Sequence, residues 1–210
     1  SPNISMGWRG KRDLAGEGVM ADLGGHLYDL ARWYFGEVKE VAAQGTTHIP
    51  IRQLQNGQTE TVDVIDSSNC LVVFENGAQG SFQTSFINLS RNMFIRVELH
   101  GSQGAILYDL EMKKDMLHTR LSYKRLNDES ELVWEENTQS FSSIIDRLCA
   151  GFIQGINGIK TSIPDLHDGY RGQAFIEAAS RSLHSRKWEP LEDRFVNDNI
   201  SSRTSTNNLE

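Results

Sequence analysis

The sequence predicts an α+β domain, in which an open, mostly antiparallel β-sheet carries helices packed on one face. A helical apolar repeat occupies residues 17–35, strand-like segments cluster over 38–135, and helical periodicity returns from Phe141. Strands grouped between terminal helices, instead of alternating with them, are typical of this class. With 210 residues and 38% hydrophobic composition, we expect one domain over 1–195 and a polar, flexible tail over 196–210.

The first predicted helix spans residues 17–35 and follows a glycine-rich loop. Its apolar residues recur three and four positions apart, as one buried helix face requires. These are Val19, Leu23, Leu27, Leu30 and Tyr34. Gly36 is a typical C-terminal stop.

Strands are predicted over most of the next hundred residues. The first runs from Val38 to about Ile51, and Asn76-Gly77 predicts a β-hairpin with a type I′ turn. The segment 93–100 alternates apolar and polar residues, which is typical of a strand with one buried face. Further strand-like segments bring the expected number to between five and seven.

Two helices are predicted after residue 138. Apolar residues from Phe141 to Ile156 follow a helical period, and Ser140 is a suitable N-cap. Pro164 separates this helix from a last one over 168–185.

Composition excludes several classes of protein. The 28 acidic and 21 basic residues give a net charge of -7, which disfavours nucleic acid and anionic membranes as partners. Cys70 and Cys149 lack the spacing of a zinc site or a disulfide framework. Because the sequence also lacks an 18-residue apolar run and a signal-peptide pattern, we expect a cytoplasmic protein.

The stretch ADLGGHLYDL, residues 21–30, is the strongest candidate for chemistry. Asp22 and His26 are four positions apart, so they share a helix face, and Asp29 is three positions further. A carboxylate beside an imidazole orients the ring and favours its charged form, which suits a proton donor or acceptor. The alternative interpretation is that Asp22 caps the helix and His26 is a core or rim histidine.

Two adjacent glycines interrupt the same helix. Gly24 and Gly25 each cost about 0.5–1 kcal/mol relative to alanine, which calls for a compensating reason. One hypothesis is that bare backbone leaves room for a ligand, and the other is that it permits tight packing against the sheet. Both remain open on the residues alone.

The residues also suggest a metal site and a dinucleotide site. A metal site of Asp22, His26 and Asp29 would need a fourth ligand, such as His48 or His100. The segment GEGVMA, residues 16–21, matches a shortened dinucleotide motif but lacks the βαβ context that this motif requires. We therefore predict no metal ligands and no nucleotide-binding half in this chain.

The segment LAGEGVMADLGGHLYDLARWYFGEVKEVAA resembles the region that follows the nucleotide-binding domain in the Gfo/Idh/MocA oxidoreductase family, named for glucose-fructose oxidoreductase, inositol dehydrogenase and rhizopine catabolism. That region reads G-G-G-x-L-x-D-x-G-x-H-x-x-D, then a helix, then G-x-x-x-x-V. The matching positions are Gly16, Gly18, Asp22, Gly24, His26, Asp29, Gly36 and Val41, with Glu17 in place of the middle glycine. The segments FENGAQGSFQTS, RNMFIRVELHGSQGAILYDL and DGYRGQAFIEAASRSLHSRKWEPL resemble later parts of the family in the same order.

The resemblance implies the C-terminal domain of an NAD- or NADP-dependent dehydrogenase acting on a sugar, cyclitol or related polyol. The Rossmann domain that binds the cofactor is absent from this chain, so we expect no bound cofactor and no activity from the chain alone. His26 would be the proton donor or acceptor during hydride transfer, and Asp22 would orient it and bind substrate. The family's E-K-P lysine would belong to the missing domain.

Weaker assignments follow from the same resemblance. Trp8 and Arg9 would reach the cofactor, while Arg91 and Asn92 would lie near the substrate. Asp29 is expected to give structural support, and His167 to lie at the surface.

Aromatic side chains on the predicted strands indicate that the sheet has a partner. Phe82, Phe86 and Phe94 on alternating strands indicate a partner sheet, so we expect a homo-oligomer. The first alternative is a non-catalytic oligomerisation or ligand-sensing module on the same scaffold. The second is a metal-dependent hydrolase using Asp22 and His26.

Overall fold

The structure of the protein is a computed structural model. It describes residues 7–54, 56–88, 93–127 and 132–192, with the backbone alone over 132–136. The predicted α+β class is confirmed, because helices accompany sheets whose described strand pairs are all antiparallel.

The chain divides into two compact units. The first combines Ser1–Ile87 with Pro164–Glu210, and the second is the intervening Asn88–Ile163. The single domain expected over 1–195 stays a prediction.

The described helices are α1 (Arg12–Ala15), α2 (Gly25–Phe35), α3 (Phe141–Ile156) and α4 (Leu166–Ser185), with a 3-10 turn at Trp8–Gly10 and a π-helical segment at Met20–Gly24. The described strands are β1 (Val38–Thr46), β2 (Ile51–Gln53), β3 (Thr59–Thr61), β4 (Ser67–Phe74), β5 (Gln79–Ser85), β6 (Phe94–Gly101), β7 (Gly104–Lys113), β8 (Met116–Arg125), β9 (Leu132–Ser140) and β10 (Glu189–Pro190). The strands outnumber the predicted five to seven and form separate sheets instead of one. No helix in the described part of the chain is long and apolar enough to span a bilayer.

The first unit is built on a four-stranded sheet in the order β10-β1-β4-β5, with β2 and β3 forming a separate hairpin. Helices α2 and α4 pack their apolar sides against one face of this sheet. Tyr28 and Phe175 are fully buried, and their rings stack with centroids 4.8 Å apart. Val41 and Val72 close the same core from the sheet side. This packing fixes α2, the helix that carries His26.

The expectation that Phe82 faces a partner sheet is wrong. Its ring packs against the core, with its centroid 5.6 Å from that of Phe175. The side chains on β5 alternate between faces, and position 82 falls on the helix-covered one.

The predicted hairpin at Asn76-Gly77 is confirmed, but the prediction of a type I′ turn is wrong. Gly77 has a φ of +85°, whereas Asn76 is not among the described residues with positive φ. The Gly77 N–H donates to the Phe74 carbonyl at 2.9 Å, and the Phe74 N–H donates to the Ala78 carbonyl at 2.9 Å. This pattern is typical of a type I turn followed by a glycine bulge.

The second unit contains a sheet in the order β6-β7-β8-β9 and the helix α3. Cross-strand partners such as Val97, Tyr108 and Leu121 share one apolar face of this sheet. Ser140 caps α3 as predicted, accepting from the Ser143 N–H at 3.3 Å.

Candidate active site

The helix that carries His26 begins later than predicted and begins irregularly. Residues 16–18 form a turn, Met20–Gly24 is π-helical, and regular α-helix starts at Gly25. The Val19 N–H donates to the Ile65 carbonyl at 3.1 Å, which ties this entry to the neighbouring loop. π-Helical turns are rare and occur frequently at functional sites. Asp22 lies in the middle of this one.

Gly18 makes the turn possible. Its φ is +60°, and a β-carbon there would overlap the Ile65 carbonyl oxygen and lie 2.8 Å from the Val64 β-carbon. A glycine is therefore required where the chain turns into the helix.

His26 lies on the solvent side of α2. Its side chain is exposed, and among the described residues it has no hydrogen bond or ion pair. An imidazole in this setting is accessible to a small molecule. This exposure contradicts a core histidine and is consistent with a rim one.

Asp22 is half-buried and is paired with Arg9. The Arg9 Nε donates to Asp22 Oδ2 at 3.0 Å, and the Arg9 guanidinium carbon lies 4.3 Å from the centroid of the Trp8 ring. The structure thus brings Trp8, Arg9 and Asp22 together, although 13 residues separate Arg9 from Asp22. Asp22 holds Arg9, and no Asp22 contact with the His26 ring is present among the described residues.

The remaining predicted residues are less informative. Asp29 is half-buried, but the structural hydrogen bond expected for it is not found within the described part of the chain. His167 is exposed as expected, with its Nδ1 3.4 Å from an Arg32 nitrogen. Arg91 and Asn92 lie outside the described residues.

Glu17, which departs from the family's glycine pattern, has a defined place. Its carboxylate is nearly buried and accepts from Arg12 at 2.8 Å and from the Ser180 hydroxyl at 2.9 Å. These contacts join the helix entry to α4.

Close packing against α4 accounts for Gly25, whereas a β-carbon at Gly24 would make only ordinary van der Waals contacts. A β-carbon at Gly24 would lie 3.4 Å from Met20 Cγ and 3.9 Å from the Phe175 ring, and one at Gly25 would lie 3.3 Å from Ile176 Cδ1. Both therefore point toward protein and not toward a crevice. The hypothesis that they leave room for substrate and nicotinamide is wrong in this respect, and the close neighbour is α4, not the sheet.

Replacing Gly25 with valine is expected to lower the free energy of unfolding by about 1–3 kcal/mol, because the larger side chain overpacks against Ile176. Thermal unfolding of the single variant and of Gly25→Val combined with Ile176→Ala measures this. The double variant should lose less than the sum of the two single losses, since valine refills the vacated space. Strictly additive losses would show that the two side chains do not compete.

The metal alternative gains no support. Within the described ranges, the ligand atoms that come within 4.8 Å of one another belong to Asp165, His167 and Asp168, and not to the Asp22 group. Asp165 and Asp168 are already used there as the capping box of α4, and Asp168 also pairs with Arg32. Three ligands around Asp22 and His26 are therefore not brought together.

Sequence reasoning missed one polar cluster, which is centred on Glu37 just after the end of α2. Glu37 contacts Tyr28, Arg32 and Arg171, which come from α2 and α4. The available signal was a charged residue placed between the helix-ending Gly36 and the buried Val38. Its partner Arg171 is 134 residues away, which no local pattern reveals.

Comparison with known proteins supports the resemblance seen in the sequence. A family model for the GFO/IDH/MocA C-terminal domain matches residues 1–107. Levoglucosan dehydrogenase of Pseudarthrobacter phenanthrenivorans is 33% identical over 128 residues, which cover 55% of this chain and 33% of that protein. An uncharacterized oxidoreductase of Synechocystis is 21% identical over 92% of this chain and 54% of its own length.

Solved structures share the fold. Levoglucosan dehydrogenase in complex with NADH and L-sorbose has a TM-score of 0.78 and 25% identity, covering 91% of this chain and 55% of that one. An NAD binding oxidoreductase from Klebsiella pneumoniae has a TM-score of 0.78 and 24% identity, covering 92% of this chain and 56% of that one. A further structure of levoglucosan dehydrogenase contains NADH and levoglucosan.

The chain spans about half the length, or less, of the relatives and structures that it matches. The matched model is that of a C-terminal domain, and it covers the turn, the π-helical segment and α2. The chain therefore belongs to the Gfo/Idh/MocA family, whose C-terminal domain it represents.

Proposed function

We propose that this chain is the substrate-binding domain of an NAD(P)-dependent oxidoreductase acting on a sugar, cyclitol or related polyol. The observation that carries the proposal is the exposed His26 imidazole on α2, one turn beyond a half-buried Asp22. In this role His26 takes the proton from a substrate hydroxyl, or returns it to a carbonyl. Asp22 binds the substrate.

The surroundings of Asp22 support a place at the edge of a ligand site. Arg9 holds the carboxylate with one nitrogen and remains half exposed, with its plane against Trp8. No described residue accepts from its other N–H groups, which can donate to oxygen atoms of a dinucleotide or a substrate. Trp8 and Arg9 are therefore the residues that we propose reach the cofactor.

The bulk of an NAD(P) site does not fit the described residues. Their strand pairs are all antiparallel, and they contain no parallel βαβ unit on which a dinucleotide would lie. The cofactor would supply hydride transfer, and its main binding residues would belong to another domain. The chain alone should therefore not turn over substrate.

The substrate class is proposed from the relatives. Levoglucosan dehydrogenase is a matching protein, and its structures contain levoglucosan or L-sorbose with NADH. A carboxylate and an imidazole also suit the hydroxyl-rich surface of such molecules. Sugars and cyclitols are accordingly the first compounds to test.

A homo-oligomer formed through the sheet is part of the proposal. The face of the first sheet that points away from the helices carries Ala42, Leu71 and Ser81 in one row, and Gln44, Asn69 and Gln83 in the next. Neither row contains a charged side chain, and Leu71 is 55% exposed. Such a face suits packing against a second sheet. A non-catalytic assembly module would use the same face.

Binding and turnover by the full-length protein test this proposal. We expect it to bind NADH or NADPH in a fluorescence titration and to reduce NAD or NADP with at least one member of a sugar and cyclitol panel. The 210-residue chain alone, as the matched control, should do neither. Full-length protein that binds no dinucleotide would overturn the dehydrogenase assignment and leave the assembly module.

A further inference from the structure

We propose that Glu37 is a positioning residue for His26, because its carboxylate fixes how α2 is rotated about its own axis. The inference rests on the proposed role of His26. It concerns the polar cluster of Tyr28, Arg32, Glu37 and Arg171, which touches neither substrate nor cofactor in the proposed function.

The Glu37 carboxylate is held from three sides. One oxygen accepts from the Tyr28 hydroxyl at 3.1 Å and from Arg171 Nε at 2.8 Å. The second Arg171 nitrogen also lies 2.8 Å from this oxygen, while the other oxygen accepts from Arg32 Nε at 2.5 Å. Arg32 extends the cluster to Asp168 on α4. One carboxylate therefore ties two successive turns of α2 to the neighbouring helix.

The position of Tyr28 links this cluster to the candidate site. Residues two apart on an α-helix point about 200° apart around the axis. Tyr28 is fully buried and His26 is exposed, as this angle requires. A rotation of α2 that displaced the Tyr28 hydroxyl from Glu37 would turn the His26 imidazole through the same angle about the helix axis, and would therefore displace it on the opposite side of the helix.

The charges of the cluster favour one arrangement. Burial disfavours the ionised carboxyl, but hydrogen bonds and charges from Arg32 and Arg171 outweigh it and lower the pKa of Glu37. Burial, together with the charge of Glu37, raises the pKa of the Tyr28 phenol to about 12. Tyr28 is thus a neutral donor and Glu37 an anionic acceptor at neutral pH. Arg171 is 6% exposed, so losing the carboxylate would remove the ion pair that Glu37 gives to a buried cation.

The two residues directly before His26 carry no side chain that could fix the rotation of α2. They are Gly24, which ends the π-helical segment, and Gly25, which begins α2. Apolar contacts such as the Tyr28–Phe175 stack are not directional in the way that hydrogen bonds to a carboxylate are. Among the described residues, the side chains of α2 that make hydrogen bonds are Tyr28 and Arg32, and both contact Glu37.

The test is a double-mutant cycle in the full-length enzyme. We expect Glu37→Gln to lower kcat by about 10–100-fold with a smaller effect on KM, since a misplacement of about 1 Å can cost a hundredfold. In a His26→Ala background, the same change should lower kcat no further, because Glu37 acts through His26. Glu37→Asp should recover part of the lost kcat.

Two variants keep the test decisive. Asp66→Asn alters another buried carboxylate of the first unit, which accepts from the His48 and Ile49 N–H groups, and it should lower Tm while kcat stays within about twofold. Tyr28→Phe removes one contact of Glu37 without unpairing a charge, so it should fold and still lower kcat several-fold.

The outcomes separate the two proposals. If Glu37→Gln lowers Tm alone, or lowers kcat equally with and without His26, the positioning role is overturned and the cluster is structural. If Glu37→Gln does not fold, an unchanged kcat for Tyr28→Phe would likewise overturn the positioning role. If His26→Ala itself leaves kcat unchanged, the proposed function fails before the cycle is complete.

Discussion

Replacing His26 with alanine in the full-length enzyme is expected to lower kcat/KM by about 10²–10⁴-fold, the usual contribution of a positioned acid or base. The ring is exposed and has no hydrogen bond within the described residues, so its removal should leave Tm nearly unchanged. Steady-state kinetics with the best substrate of the sugar panel, beside a thermal melt, measures both quantities.

His100 provides the matched control for this substitution. Its side chain is 74% exposed on β6, in the second unit, and it lies 3.8 Å from Glu98. His100→Ala should leave kcat/KM within about twofold, in line with surface substitutions away from a site. Equal losses for the two alanine variants would contradict an acid–base role for His26.

Replacing Gly18 with alanine is expected to be the most destabilising single change considered for this chain. The residue has a φ of +60°, and the new methyl group would overlap the Ile65 carbonyl oxygen and press on Val64. Backbone strain and the clash together should cost roughly 3 kcal/mol or more. At about 2–4 °C per kcal/mol for a chain of this size, Tm should fall by about 6–12 °C in a thermal melt.

Gly169→Ala is the matched control for that experiment. Gly169 lies in α4 with a helical backbone, and a β-carbon there would meet nothing within 4 Å. Alanine at this position should raise stability by about 0.5–1 kcal/mol. A Gly18→Ala protein that melts at the wild-type temperature would show that the turn before the π-helical segment relaxes freely.

Local patterns were sufficient where local chemistry decides the structure. The Asn76-Gly77 pair identified the hairpin, Ser140 the start of α3, and Gly36 the end of α2. The turn type depended on contacts from outside the pair. Asn76 accepts from the Ala78 N–H and donates to the Phe35 carbonyl, both at 2.9 Å, and these bonds fit a type I turn.

Distant contacts explain what the sequence could not predict in the candidate site. Apolar periodicity placed the helix start at residue 17, but the contact of Gly18 with Ile65 delays it. The sequence shows that the two glycines are costly, whereas the neighbour that packs closely on Gly25 is Ile176, on the other helix. In the same way, Asp22 pairs with Arg9 because the loop before the helix folds back on it, and sequence spacing does not predict such a contact.

The discontinuity of the first unit has a consequence for biosynthesis. Its core joins Tyr28 and Val72 to Phe175, but the ribosome makes roughly 100 residues between the end of β5 and the end of α4. Because translation adds about 5–20 residues per second, helix α4 is completed about 5–20 s after the apolar sheet that it covers. During that interval the emerging chain is a client for chaperones, and a stop codon before α4 would release a product with its core uncovered.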